Sequence, residues 1–358
     1  MKSRLSRIAA AVGLAVTLAW SGAAQPQFPQ TLPYAIFERY VEALRQEGGI
    51  PGLSAAIIRN GQIGWIAGFG REDIGRAIPA SPDTPYVIGG ITQAISALLL
   101  GICVDRHLLE VDDPIRRWAL TFPESAASVR NVLAHASEGA PTGRFRYDPA
   151  LYSALTHVVD ACSEKPYRQF LADEIIERFG LARSVPGIDI TDASNVARQL
   201  FEPGRLSRFD DVVRRLAVPY RVDRFGSATA SQYPSRSIDA ATGMVASVYD
   251  LARLDAALDV GVPVSLKTLN DMWSAASFGA GSLPTGLGWF VQTSFNERLV
   301  WQFGLLPDAG SGIWLRVPGK RLTLILLANS PGLATGLNLE QGDVTVSPFV
   351  KIFLRLFL

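Results

Sequence analysis

The chain has 358 residues, of which 34 are Lys or Arg and 33 are Asp or Glu, so its formal net charge is +1. That balance gives no reason to expect nucleic acid as a partner. Charged residues make up 19% and hydrophobic residues 48%, which argues against disorder and fits one large two-lobed domain or two smaller ones.

The first 24 residues have the pattern of an export signal. Basic residues precede an apolar run from Ile8 to Trp20, and small residues follow up to Ala24. This order predicts a signal peptide over residues 1–24 and a periplasmic or extracellular protein. The run is shorter than the roughly 20 residues of a membrane span, so a retained anchor is the less favoured alternative.

Helix and strand patterns follow. The apolar spacing over Tyr34–Glu47 predicts a helix. Two β-rich runs, Ser54–Arg59 and Gln62–Gly70, are separated by Asn60-Gly61. That dipeptide is a strong hairpin signal, because a type I′ turn needs positive φ at both central positions.

The middle of the chain is mainly helical. Ile91–Val104 is apolar nearly all round, which predicts a helix buried inside a lobe. Further helices are predicted near Tyr152–Ser163, Tyr167–Phe179 and Val248–Asp259. Residues 200–240 carry many Arg, Ser, Pro and Tyr, so we expect long surface loops there.

Strand-like runs return towards the C-terminus. They are Gly288–Thr293, Leu299–Gly304, Gly312–Val317 and Leu322–Ala328, and Ser347–Leu358 predicts a terminal helix. The order predicts an α+β fold in which one antiparallel sheet is assembled from both ends of the chain and covered by the terminal helices. The α/β lobe would comprise residues 25–75 and 265–358, with a helical lobe, residues 76–264, inserted between its halves.

The terminal helix has two interpretations. Its Lys351 and Arg355 form a narrow basic stripe beside many apolar residues, which would suit a membrane surface. We favour packing on the sheet instead, since the flanking strands need a cover.

The cysteines and histidines indicate whether the chain can form a disulfide or bind a metal ion. Cys103 and Cys162 are free to pair in an oxidising compartment, but two buried free thiols are the simpler interpretation, and geometry decides between them. His107, His135 and His157 lack the spacing of metal ligands, so we expect no metal site and no cofactor.

Seven short motifs occur in a characteristic order. From about Pro33 to the C-terminus, this order resembles the serine β-lactamase and penicillin-binding protein superfamily, in particular its class C β-lactamase and esterase branch. The motifs are Pro51-Gly52-Leu53-Ser54, Gly68-Phe69-Gly70, Tyr86-Val87-Ile88-Gly89, Asp112-Asp113-Pro114-Ile115, Val132-Leu133-Ala134-His135-Ala136-Ser137, Thr242-Gly243-Met244 and Leu327-Ala328-Asn329-Ser330.

The resemblance implies a Ser-x-x-Lys motif at the start of the buried helix, where the serine attacks an acyl carbonyl and the lysine takes its proton. The matching residues here are Gly90-Ile91-Thr92-Gln93. Gly90 has no side chain to attack with, and Gln93 cannot act as a base near neutral pH.

The two other motifs of the family are also changed. Its Tyr-x-Asn corresponds to Tyr147-Asp148-Pro149, in which proline replaces the amide. Its Lys-Thr-Gly or His-x-Gly corresponds to Gln302-Phe303-Gly304, in which a neutral amide replaces the residue that can carry charge. The resemblance therefore implies a serine hydrolase homologue that has lost its catalytic residues.

Because the catalytic residues are replaced, the resemblance implies a binding role. The site would bind a peptidoglycan-like peptide or an acyl compound, with Tyr220 and Tyr233 as further lining residues. Backbone N–H groups at the helix start would form an anion- or carbonyl-binding corner. The candidate ligand-binding residues are Gly90, Gln93, Tyr147, Gln302, Phe303 and Gly304.

Three other hypotheses for the function stay open. A rewired hydrolase would use Ser137 or a bound water, although His135, two residues away, is not placed as its base. Ser96 should face away from the cleft, about 240° round the helix from Gly90. The cleft could instead have collapsed, or residues 347–358 could make the protein a membrane-associated module.

Overall fold

The computed structural model describes residues 32–191, 194–279 and 281–358. The predicted signal peptide, residues 1–24, lies outside these ranges. The helices in chain order are α1 (Leu32–Glu47), α2 (Ile91–Asp105), α3 (Val129–Leu133), α4 (Pro149–Tyr152), α5 (Leu155–Ser163), α6 (Tyr167–Leu171), α7 (Asn195–Leu200), α8 (Pro203–Arg214), α9 (Val248–Leu258), α10 (Leu266–Met272) and α11 (Pro348–Phe357).

The strands in chain order are β1 (Gly52–Arg59), β2 (Gln62–Asp73), β3 (Ile78–Pro79), β4 (Tyr86–Val87), β5 (Tyr220–Val222), β6 (Ala228–Ala230), β7 (Val245–Ala246), β8 (Ser277–Phe278), β9 (Gly281–Ser282), β10 (Phe290–Ser294), β11 (Glu297–Leu306), β12 (Gly310–Val317) and β13 (Leu322–Ala328).

Both ends of the chain contribute to one antiparallel sheet, as predicted. Its seven strands have the order β10-β11-β12-β13-β1-β2-β3. The N-terminal and C-terminal halves meet where β1 pairs with β13, with Ser54 opposite Leu327. The β1–β2 hairpin turns at Asn60 and Gly61, whose φ angles are 54° and 73°, so the predicted turn with two positive φ angles is confirmed.

The central strands are buried on both faces, because successive side chains of a strand point to opposite sides. Leu324 and Leu326 of β13 belong to the apolar cluster under α1 and α11. Ile325 and Leu327 belong to the larger cluster that includes α2, α5 and α9. The sheet is thus the middle layer of an α+β fold.

The terminal helices cover one face together. Phe353 of α11 lies edge-on to Phe37 of α1, with ring centroids 6.1 Å apart. Phe349 is also buried there, while Lys351 and Arg355 are exposed. In the structure the terminal helix therefore packs on the sheet, as the favoured interpretation predicted. In the described ranges, no helix combines the length and the apolar character needed to cross a membrane.

Helix α2 is the centre of the helical lobe. Every side chain from Ile91 to Cys103 is buried, as its apolar sequence predicted. Cys103 forms a disulfide with Cys162 of α5. The interpretation of two buried free thiols is therefore wrong, because the packing of α5 against α2 brings the two Cα atoms to 6.1 Å, within disulfide range.

The prediction of long surface loops over residues 200–240 is confirmed for residues 231–240, which lie outside helices and strands, but it is wrong for the first part of the segment. The segment contains α8, which buries Leu206, Phe209 and Val212, and the small β5–β6 hairpin. These apolar residues recur every third position, which is helical spacing. The arginines between them made the segment look like a loop.

Candidate active site

The start of α2 lies directly against the backbone of β11. A Cβ on Gly304 would lie 2.1 Å from the carbonyl oxygen of Ile88, and Gly89 adopts a φ of 56°. Glycine is needed at both positions, for close approach at one and for positive φ at the other. The lobe interface is therefore closed by main chain at this point.

Gly90, at the position of the family's nucleophile, faces occupied space. A Cβ built on it would lie 2.6 Å from the carbonyl oxygen of Phe303 and 3.0 Å from the hydroxyl of Tyr147. The φ of Gly90 is −62°, an angle that any residue adopts, so the constraint comes from these neighbours. Position 90 thus carries no side chain, and its neighbours leave little room for one.

Gln93, at the position of the family's lysine, is fully buried in a network of neutral groups. Its Nε2 donates to the hydroxyl of Tyr147 at 3.0 Å. Its Oε1 is 2.9 Å from Nε2 of His135 and accepts from Nε2 of Gln302 at 3.3 Å. Each polar atom of this amide is used, as a buried polar group requires.

The hydrogen bonds of His135 define its tautomer. Asp148 donates its backbone N–H to Nδ1 at 3.2 Å, so Nδ1 is the unprotonated nitrogen. Nε2 therefore carries the proton and donates it to Oε1 of Gln93. Burial lowers the pKa of His135 to about 3, which keeps the ring neutral. Neither nitrogen is available to act as a base.

Gln302 connects the network to two further backbone groups. Its Nε2 also donates to the carbonyl oxygen of Gly288 at 3.2 Å, and its Oε1 accepts from the N–H of Phe303 at 2.9 Å. The amide is buried, with an exposed fraction of 1%. It ties β11 to the segment before β10.

Aromatic side chains surround these amides. The ring of Tyr147 lies 5.3 Å from that of Phe303 and 4.6 Å from that of His135. Tyr152 stacks on His135 and donates its hydroxyl proton to the backbone oxygen of Gln93 at 3.0 Å. Burial raises the pKa of Tyr147, so its phenol stays protonated at neutral pH.

The arrangement consists of uncharged side chains. It holds neutral hydrogen-bonding groups that satisfy one another, with neither an attacking hydroxyl nor a proton acceptor at Gly90. Among the described residues, no cluster of His, Cys, Asp and Glu is suited to hold a metal ion.

The structure brings together Gly90, Gln93, Tyr147, Gln302, Phe303 and Gly304, which the sequence proposed as a group. Pro149 behaves differently, since it is the exposed first residue of α4 behind its N-cap Asp148. The proline thus starts a helix at the position where the family has its amide.

Sequence reasoning missed His135 and Tyr152. His135 was judged only as a partner for Ser137, two residues away, whereas its ring contacts Gln93, which is 42 positions away in the chain. Spacing along the chain carries no signal for such a contact.

Other hydroxyl residues lie outside the network. Ser96 bonds Tyr167 and the carbonyl oxygen of Ala240, so it faces away from the cleft as predicted. Tyr220 accepts from the N–H of Ile74, and Tyr233 donates to the carbonyl oxygen of Ala217. These two tyrosines do not take part in the network around Gln93, contrary to their expected place beside it.

Ser137 borders a small cavity beside the network, together with His135 and Arg146. Arg146 is held between Glu138 and Asp148, at 3.4 and 3.6 Å. Within the described ranges, the hydroxyl of Ser137 makes no hydrogen bond to a basic side chain.

Comparisons with known proteins agree with this fold. A family model described as Beta-lactamase matches residues 37–341, most of the chain. The putative penicillin-binding protein PbpX of Bacillus subtilis is 26% identical over 157 residues, which are 37% of this chain and 40% of that protein. The match thus spans less than half of that relative's length.

Two solved structures have a similar fold. The octameric penicillin-binding protein homologue from Pyrococcus abyssi is 20% identical, with a TM-score of 0.71 over 90% of this chain and 77% of that one. A class C beta lactamase from Rhodobacter sphaeroides is 15% identical, with a TM-score of 0.63 over 82% and 93% of the two chains. At these identities the likeness concerns the fold alone.

Proposed function

The chain belongs to the beta-lactamase family, and we propose that it is an exported member that has lost acyl-transfer activity and acts by binding an acyl or peptidoglycan-like ligand. The observation that carries this proposal is the pair of residues at the start of α2. Gly90 replaces the nucleophile, and Gln93, bonded to His135 and Tyr147, replaces the base.

The size of the expected decrease in kcat supports the proposed inactivity. Where a nucleophile and its base act as a unit, removing one alone lowers kcat by about a million-fold. Both are absent here, and the carbonyl oxygen of Phe303 fills the space beside Gly90. A residual rate would have to come from a different mechanism.

Ligand binding is supported by an edge of β11. Pairing with β10 ends at Trp301, opposite Phe290, so the following residues of β11 have no strand on that side. Phe303 directs its carbonyl towards Gly90, and Leu305, two residues on, directs its backbone groups to the same side. The start of α2 covers this edge at Phe303 and Gly304, whereas Leu305 is exposed, so we infer that an extended peptide or an acyl amide would add its hydrogen bonds from Leu305 onwards.

Two observations support export. The N-terminal pattern ending at Ala24 is that of a signal peptide, and the bond between Cys103 and Cys162 suits an oxidising compartment. Expression in a bacterial host with a secretion pathway, followed by mass measurement of the mature protein, tests this. A mature chain that still carries residues 1–24 would contradict cleavage.

The main alternative is a hydrolase with a rewired site at Ser137. It has weaker support, because both ring nitrogens of His135 are engaged by Gln93 and Asp148. The hydrolase would require turnover that disappears when Ser137 or Tyr147 is replaced.

The membrane-associated module has weaker support as well, since the apolar residues of α11 face α1 and the sheet. Deletion of residues 347–358 distinguishes the two roles. Loss of folding indicates a packing role, and release of a folded protein from membranes would favour the module.

The direct test uses acylating reagents. The purified chain is incubated with a fluorescent penicillin, a chromogenic cephalosporin and nitrophenyl esters beside an active class C β-lactamase as the positive control. We expect no covalent label by intact mass and no hydrolysis above the buffer rate. A label on any serine would overturn the claim of inactivity.

The binding claim has its own test. An acyl-D-Ala-D-Ala peptide is titrated calorimetrically and soaked into crystals. Binding at the exposed end of β11, at Leu305, supports the claim. Absence of saturable binding, or a peptide bound elsewhere, contradicts it without affecting the claim of inactivity.

A further inference from the structure

One edge of the central sheet is open along part of β2. The sheet ends in the short strand β3, which pairs only with Arg71 and Asp73 at the far end of β2. The stretch Trp65–Phe69 has β1 on one side and, in the described ranges, no strand on the other. Residues 66–69 are half-buried, whereas β13 in the middle of the sheet is buried throughout. Solvent therefore reaches β2 along this stretch.

The backbone of this open stretch carries hydrogen-bonding groups that point away from β1. The carbonyl oxygen of Gly70 accepts from the N–H of Ala80 at 3.1 Å, so Gly70 directs its backbone groups outwards. In an antiparallel strand, alternate residues direct their N–H and C=O groups to the same side, so Gly68 and Ile66 also face outwards. Neither has a backbone partner on that side in the part of the chain that the structure describes. The stretch is thus a template for one further strand.

The opposite edge of the sheet is covered. The N–H of Val291 in β10 donates to the carbonyl oxygen of Pro284 at 2.8 Å, and the side-chain oxygen of Gln292 accepts from the N–H of Val344 at 2.8 Å. The open stretch of β2 follows a bulge at Gly64 and has the sequence Trp-Ile-Ala-Gly-Phe. It contains neither a charged residue nor proline, which are the residues that commonly protect a strand edge from pairing.

A second copy of this chain is the partner that the edge fits best. Pairing of a strand with its own copy places a two-fold axis on the strand, and residues near the axis lie opposite themselves or close neighbours. A charged residue there would meet its own copy, and like charges directly opposite each other destabilise a sheet. The stretch Trp65–Phe69 carries no charge, so self-pairing meets no such repulsion. With the axis at Ala67, Ile66 of one copy lies opposite Gly68 of the other.

We propose that this chain forms a dimer in which the β2 edges of two copies pair antiparallel about Ala67. The two seven-stranded sheets then form one continuous sheet. Each Ile66 donates its N–H to the carbonyl oxygen of Gly68 in the other copy and accepts from the N–H of that residue. Trp65 of one copy lies opposite Phe69 of the other, an aromatic pair of the kind that stabilises sheets. Pairing about a two-fold axis uses both open edges, so the assembly ends at two copies.

The dimer leaves the proposed ligand site at Leu305 open. Leu305 lies on β11, which is separated from β2 by β12, β13 and β1. At about 4.8 Å between neighbouring strands, the two β11 strands of the dimer would lie roughly 43 Å apart. The dimer would thus present two ligand sites and bind a repeating polymer more tightly than one copy does. This consequence rests on the proposed ligand binding, whereas the association of the two copies does not.

Sedimentation equilibrium of the purified chain over a range of micromolar concentrations tests the association. We expect a reversible equilibrium between monomer and dimer. Ala67→Lys keeps the backbone but sets two like charges against each other at the axis, so this variant should remain a monomer. Ala126→Lys, at an exposed position of the helical lobe, should associate as the native chain does. A native chain that stays monomeric, or a folded Ala67→Lys variant that still forms the dimer, would overturn the proposal.

A cysteine at position 67 tests the register of the pairing. Residues that face each other in a non-hydrogen-bonded pair have Cα atoms about 4.5 Å apart, which is within disulfide reach. Cys103 and Cys162 are already bonded to each other, so the introduced thiol is the one available. Under mild oxidation, Ala67→Cys should form a covalent dimer about tenfold faster than Ala126→Cys, because pairing holds its two thiols together. Equal rates for the two variants, or no covalent dimer of Ala67→Cys, would refute pairing at this position.

Discussion

The carbonyl oxygen of Phe303 lies 2.6 Å from the point where Gly90 would place a Cβ. A side chain at this position therefore requires β11 and the start of α2 to separate. The two lobes can approach this closely because position 90 carries no side chain. We therefore expect that restoring a serine at position 90 does not by itself open the site.

Replacing Gly90 by alanine should destabilise the protein. The added methyl group meets the backbone oxygen of Phe303 at 2.6 Å and the hydroxyl of Tyr147 at 3.0 Å, and overpacking of this kind costs about 1–3 kcal/mol. Urea unfolding measures the change. Gly204→Ala is the matched control, because a Cβ there meets nothing within 4 Å, and it should be neutral or slightly stabilising. Equal effects of the two substitutions would show that the contact with Phe303 is not tight.

The double variant Gly90→Ser with Gln93→Lys should remain unreactive towards a fluorescent penicillin. Its serine lacks space, and its lysine would be buried among His135, Tyr147 and Gln302 with no carboxylate in the network. Intact mass spectrometry measures acylation, and circular dichroism checks folding. Labelling of a folded double variant at the new serine would contradict the view that the site is sterically closed.

Gln93→Leu should cost about 1–3 kcal/mol, because it leaves the Nε2–H of His135 buried without an acceptor. Gln62→Leu, at an exposed position of the β1–β2 hairpin, is the control. A double-mutant cycle with Gln302→Leu should give a coupling of about 0.5–3 kcal/mol, as expected for residues in one network. Additive effects would mean that the two amides do not interact.

The buried His135 should make the protein less stable in mild acid. Burial lowers its pKa in the folded protein to about 3, while the unfolded chain has the ordinary value near 6.5. Below pH 6.5 the unfolded state binds a proton that the folded state cannot, so stability is fully present above that pH and is lost as the pH falls towards 3.

Between pH 7.5 and 5.5 this loss should amount to about 1.4 kcal/mol. Urea unfolding of the native chain and of His135→Gln at both pH values measures the difference. The variant should lose that part of the pH dependence, whereas His157→Gln, at an exposed position, should keep it. The same pH dependence in all three proteins would show that His135 is not buried as a neutral ring.

The bond between Cys103 and Cys162 should contribute substantially to stability. It closes a loop with a sequence separation of 59, for which the chain-entropy model gives about 4 kcal/mol. Dithiothreitol should lower the urea midpoint of the native chain but not that of the Cys103→Ala, Cys162→Ala double variant. Alkylation of both cysteines in the denatured, unreduced chain would show that they are not bonded.

The sequence by itself determined the fold class and the loss of the catalytic motifs. Asn60-Gly61 fixes a turn through local backbone preference, the apolar sequence of α2 requires burial, and a glycine at position 90 carries no hydroxyl in any conformation. These conclusions depend on local chemistry or on residue identity, which the chain carries wherever it folds.

Only the tertiary structure decided which contacts Gly90 and Gln93 make at the positions where the family has its catalytic residues. The contact of His135 with Gln93, the bond between Cys103 and Cys162, and the Phe303 oxygen beside Gly90 each join segments far apart in the chain. Distances between remote segments follow from the packing of whole elements, and no local pattern encodes that packing.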